Sequence, residues 1–213
     1  MNRREWTLAT ATLAALPGFA LAQASGEPRE GREYAVLEKR VPTEVPAGKV
    51  EVIEFFWYSC PHCNAFEPTM ESWIKAAPAD VVVKRVPVAF RADFQPQQKL
   101  YYTLEALNKV DEFQMKVFNA VHRERQALNT DDAIIAWAVK QGFERAKFTE
   151  AYQSFSVATK VRRAVQLQDA YKVEGVPSLG IGGRFYTDGT MAGSMERALQ
   201  VTNFLIERVR KNR

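Results

Sequence analysis

The stretch EFFWYSCPHCNAFEP, residues 54–68, holds both cysteines of a 213-residue chain, Cys60 and Cys63, with Pro61 and His62 between them. Two thiols at this spacing can form a structural disulfide, bind a metal or serve as a redox dithiol. Closing a four-residue loop restricts the unfolded chain by only about 2 kcal/mol, and a chain of this length builds a core without staples. The candidate metal ligands are Cys60, Cys63, His62 and His122. His62 lies inside the pair, however, and no second pair follows at ligand spacing. His122, in the charged segment VHRER, reads as a surface histidine. No metal and no cofactor is therefore expected.

The redox reading has the local physics on its side. Thiolate is the reactive form, and its pKa falls at a helix N-terminus, beside unpaired N–H groups and the positive end of the dipole. Pro61 suits the first helical position, where an N–H has no partner anyway. That places the Cys60 sulfur in front of the first turn. Cys63 falls one turn inside, shielded and placed to attack a mixed disulfide. His62 adds a ring that can donate to the Cys60 sulfur or stand positive beside it.

The elements that must hold these residues follow from the apolar pattern. VEVIEFFW (50–57) and VVVKRVPV (81–88) are strands apolar on both faces, suited to a sheet covered on both sides. Between them 61–77 reads as a helix, kinked by Pro68. Glu54 interrupts the row Val50, Val52, Phe56, and Lys84 interrupts Val82, Val86, Val88; either charge can reach solvent at a strand end. Glu67 reads as a surface residue. From Gln95 to about Val173 the period becomes 3.6, with apolar faces at Leu100, Leu104 and Leu107, then Phe113, Val117, Phe118 and Val121. A third helix is capped by Asn129 or Thr130 and stops at Gly142. Helices at 146–152 and from Ser156 onward complete a helical block. A hairpin turned by Gly182-Gly183 and an amphipathic helix over 194–210 close the chain.

Residues 1–22 read as a signal peptide: a cationic MNRRE, an apolar small-residue run, and Ala20-Leu21-Ala22 as the cleavage site, with Ala24 an alternative. Arg3-Arg4 leaves Sec and twin-arginine export both open. Export places the thiols outside the reducing cytosol. Residues 23–48 form a polar N-terminal arm, with a short strand near 34–37. The 29 basic and 25 acidic side chains are scattered, which gives no footprint for nucleic acid. With no coiled coil or dimerisation segment, a monomer is the default.

The segment EFFWYSCPHCNAFEP resembles the active site of the DsbA family of periplasmic thiol:disulfide oxidases, and the likeness extends over the whole mature chain. It implies an α/β thioredoxin fold made of 49–94 and 165–213, with an all-helical subdomain, 95–164, inserted. It implies that Pro68 matches the superfamily's helix-kinking proline. Gly175-Val176-Pro177 matches the cis-proline loop, which packs against the dithiol and offers backbone to substrate, making Val176, Pro177 and His62 substrate-binding candidates. Cys60, Pro61, His62, Cys63 and Pro177 become catalytic candidates, with Glu54 beneath Cys63 as proton acceptor, facing Lys84. The implied function is donation of the Cys60–Cys63 disulfide to reduced exported proteins, with reoxidation by a quinone-linked membrane oxidase of the DsbB type. The same chemistry serves an isomerase or reductase. From a different class, a peptide-binding chaperone would rely on a groove of Phe90, Phe94, Tyr101 and Tyr102.

Overall fold

A computed structural model describes residues 26–211; the expected signal peptide lies outside them. Strand β2 (Val50–Phe56) is buried along its whole length because it has a neighbour on each side. It pairs in parallel with β3 (Val81–Pro87) and antiparallel with β4 (Ser178–Ile181). Next come β5 (Phe185–Asp188) and the edge strand β1 (Ala35–Val36), giving the order β1-β5-β4-β2-β3. Parallel neighbours need a crossover, and helix α1 (Pro61–Ala76) supplies it. The expected thioredoxin arrangement is thus present.

Alternate side chains of β2 feed two cores, which is why its sequence does not alternate in polarity. On one side Val50 and Val52 meet Phe66 and Met70 of α1, together with Leu199, Leu205 and Ile206 of the last helix, α8 (Met195–Lys211). On the other, Ile53 and Phe55 meet the helical block. After a short turn of 3-10 helix (Ala92–Phe94), that block runs α2 (Gln95–Ala106), α3 (Val110–His122), α4 (Asp131–Lys140), α5 (Arg145–Tyr152) and α6 (Phe155–Ala170). Helix α6 continues unbroken through residue 164 and carries the chain back to the sheet.

Caps fix the helix starts. Thr130, rather than Asn129, caps α4 by accepting from the Ala133 amide at 3.2 Å. Ser154 caps α6 through the Val157 amide, so that helix begins one residue before Ser156. A four-residue helix, α7 (Gly189–Ala192), capped by Asp188, is too short to show a period in the sequence. The β4–β5 hairpin turns on Gly182 and Gly183 at φ 59° and 66°, the left-handed pair that a two-residue hairpin loop requires. The N-terminal arm lies against this turn: the Val41 amide donates to the Gly183 carbonyl at 2.8 Å. Among the described residues no helix is long and apolar enough to cross a membrane.

Candidate active site

Cys60 is the N-cap of α1, in extended backbone, and its Sγ accepts from the Cys63 amide at 3.4 Å. The Cys60 amide in turn donates to the Trp57 carbonyl at 3.0 Å, closing a tight turn ahead of the helix. Across the sheet end, the peptide bond Val176–Pro177 is cis, and the Val176 carbonyl lies 3.4 Å from the Cys60 sulfur, which donates to it when protonated. Cys60 keeps 7% of its surface exposed and Cys63 none. The helix start thus presents one sulfur outward and hides the other. His62 is exposed on the first turn.

The two thiols therefore titrate far apart. The Cys60 pKa drops from an ordinary 9.0 to about 6: the hydrogen bond from the Cys63 thiol does most, overcoming burial, with the amides of Cys63 and His62 and the His62 charge adding less. Cys63 is pushed far above its ordinary range, by burial first, then by donating to Cys60 and by the charges of Cys60 and Glu54. Near neutral pH the pair is one thiolate and one thiol, with the proton on the buried sulfur.

Beneath α1 lies a buried ion cluster. Arg85 on β3 bonds Glu54 through Nε at 2.9 Å, and Glu67 and Glu71 through its terminal nitrogen at 2.7 and 2.9 Å. This corrects two expectations. The parallel register sets Arg85 opposite Glu54 and Lys84 opposite Ile53, so Lys84 faces away and pairs with Glu51 and Glu44 at 2.7 and 3.1 Å. Glu67 is no surface residue but 1% exposed. It stands one turn from Cys63 and three residues before Met70, on the face of α1 that packs inward, and that spacing was the signal for it.

One guanidinium cannot neutralise three carboxylates. Burial raises the pKa of Glu54 against the opposing pull of Arg85; burial and the neighbouring Glu54 raise that of Glu67. Glu54 Oε1 is buried with no hydrogen-bond partner, whereas Glu67 Oε2 accepts from Gln114 at 3.3 Å. The cluster can hold a proton close to the buried thiol, whose titration the Glu54 charge influences.

The aromatic residues considered for a groove separate. Phe94, Tyr101 and Tyr102 are buried and only Phe90 is exposed. Trp57 stacks on Phe94 with ring centres 3.8 Å apart. His122 also departs from the surface reading: its Nε2 lies 2.8 Å from the carbonyl oxygen of Tyr58, two residues before Cys60. The charged letters after it in VHRER concealed this, because α3 ends there and Arg123, Glu124 and Arg125 are exposed while His122 turns inward.

Residues 83–200 match the DSBA-like thioredoxin domain. Over 206 residues the chain is 47% identical to the thiol:disulfide interchange protein DsbA of Bordetella parapertussis, covering 96% of each chain. It is 36% identical over 201 residues to the protein of that name from Pseudomonas aeruginosa, covering 94% of this chain and 95% of that one. The crystal structure of Pseudomonas aeruginosa DsbA aligns with a TM-score of 0.82 at 36% identity, over 87% of this chain and 96% of that one.

Proposed function

From a chain that belongs to the DsbA family and is a protein thiol:disulfide oxidoreductase, we infer how the Cys60–Cys63 disulfide is given away. A client thiolate attacks Cys60 Sγ; the new S–S bond joins client and Cys60, and the electron pair of the broken bond leaves on Cys63. Cys63 takes up a proton, which Glu54 supplies in this direction and accepts when the pair is reoxidised. A second client thiolate then attacks the client sulfur of the mixed disulfide and expels Cys60 as thiolate. The client loses two electrons and the dithiol gains them.

The observation that carries this reading is the asymmetry at the helix start: a stabilised, partly accessible Cys60 above a buried, protonated Cys63. A good leaving thiolate at Cys60 favours release of the oxidised client. Val176 and Pro177 offer backbone to the client beside Cys60, and His62 touches it from the exposed first turn. Residues 49–94 and 165–213 carry the chemistry, with the inserted 95–164 packed over them. The protein acts as a monomer in the periplasm, after removal of residues 1–22, on reduced exported clients. A quinone-linked membrane oxidase of the DsbB type restores the disulfide.

Cys60→Ser tests the reading. It should fold normally yet fail to oxidise a reduced two-cysteine peptide; full oxidation by that variant would overturn it. Full suppression of client aggregation by the variant, with no loss of cellular function, would instead favour the chaperone.

A further inference from the structure

Three residues of α3 at spacing four, Gln114, Phe118 and His122, share one helix face, and all three touch Tyr58. The Tyr58 hydroxyl donates to Gln114 Oε1 at 2.7 Å. The Tyr58 and Phe118 rings meet edge to face with centres 5.2 Å apart. The His122 ring stacks on Phe118 and sets its Nε2 2.8 Å from the Tyr58 carbonyl oxygen. Of these contacts only the last grips the backbone. It grips inside the turn from Trp57 to Cys60, whose closing bond is Cys60 N–H to Trp57 O at 3.0 Å. From the other side α2 holds Ser59, whose Oγ lies 2.7 Å from Gln97 Nε2.

We propose that His122 is a positioning residue for the dithiol: its Nε2–H fixes the Tyr58 peptide, and through it the place of the Cys60 sulfur relative to the Cys63 amide and the Val176 carbonyl. Of those two contacts, both 3.4 Å long, the Cys63 amide is the one that stabilises the thiolate, so a displacement of the turn that lengthens it raises the Cys60 pKa. A carbonyl oxygen has no proton to give, so the proton of this hydrogen bond sits on Nε2. The inserted helices thus set the chemistry of a sulfur they do not touch. The inference rests on the reading that Cys60 is the sulfur the client attacks and that leaves as thiolate.

The test is the thiolate absorbance titration of Cys60 in reduced wild type, His122→Leu, His122→Gln and Val117→Ala. His122→Leu should raise the Cys60 pKa by about half a unit or more, with a matching shift of about threefold in the glutathione equilibrium towards the disulfide. His122→Gln, which keeps an N–H donor, should restore most of it. Val117→Ala, at a buried α3 residue outside the Gln114–Phe118–His122 row, should lower the unfolding midpoint and leave the pKa in place. An unmoved pKa in His122→Leu, or an equal rise in Val117→Ala, overturns the proposal. Should His122→Leu not fold, the 15N shifts of the His122 ring in wild type decide: a proton on Nε2 supports the clamp, a bare Nε2 overturns it. A wild-type Cys60 pKa near 9 would sink the reading of Cys60 as the thiolate leaving group itself, which separates the two failures.

Discussion

A thiol with a pKa of about 6 is roughly nine-tenths thiolate at pH 7, so Cys60 leaves and attacks as an anion without help from a base. Because its pKa is lowered on folding, the thiolate stabilises the reduced protein fully above the unfolded value, and that stabilisation is lost as pH falls through about 6. At pH 7 it contributes about 1 kcal/mol, allowing for solvent screening at a partly accessible sulfur. The couple should then change its proton count there. Its potential should fall by about 59 mV per pH unit below the pKa, where two protons accompany two electrons, and by about 30 mV above it. A single slope from pH 4 to 8 would contradict the titration of Cys60. The order of causes also ranks variants: Cys63→Ala should raise the Cys60 pKa more than His62→Ala, because the Cys63 thiol contributes most and the His62 charge least. Alkylation rates against pH measure both. The reactive pair was legible from Cys60-Pro61-His62-Cys63 alone, since a helix start, a proline and two thiols define the site locally.

At the scale of elements, β2, β3 and α1 were readable because long apolar runs and a first-turn proline mark them, and the β4–β5 turn because Gly182-Gly183 permits little else. The pairing of strands was not. Glu54 and Arg85 meet through a parallel register between segments joined by a whole helix, and a period of two in each strand leaves that register open. The hairpin supplies a check on the observed packing. A Cβ at Gly183 would lie 2.0 Å from the Val41 carbonyl oxygen, at φ +66°. Gly183→Ala should therefore lift the N-terminal arm from the turn and cost about 2–4 kcal/mol in chemical denaturation. A cost below about 0.5 kcal/mol would show that the arm is not seated there.

Across the whole molecule the ion cluster ties stability to redox chemistry. A carboxyl whose pKa is raised on folding binds its proton more tightly in the native state, so the fold loses stability as pH rises through that raised value. Glu54 and Glu67 are both of this kind. Glu54→Gln removes the loss: its gain in thermal midpoint over wild type should be larger at pH 8 than at pH 5, and an equal difference at both would contradict a raised Glu54. On the proposed mechanism the same variant should also slow reoxidation of the dithiol, with Glu54 no longer able to accept the Cys63 proton. Arg85→Met leaves the carboxylates unpaired and should destabilise by about 3–5 kcal/mol in denaturant titration.

At every scale the protein is built to give its disulfide away. The equilibrium potential of the Cys60–Cys63 couple in glutathione buffers at pH 7, followed by tryptophan fluorescence, tests that most directly. An oxidising value is expected, towards about −120 mV, the reference figure for DsbA itself; a value near −270 mV, that of thioredoxin, would make the protein a reductant.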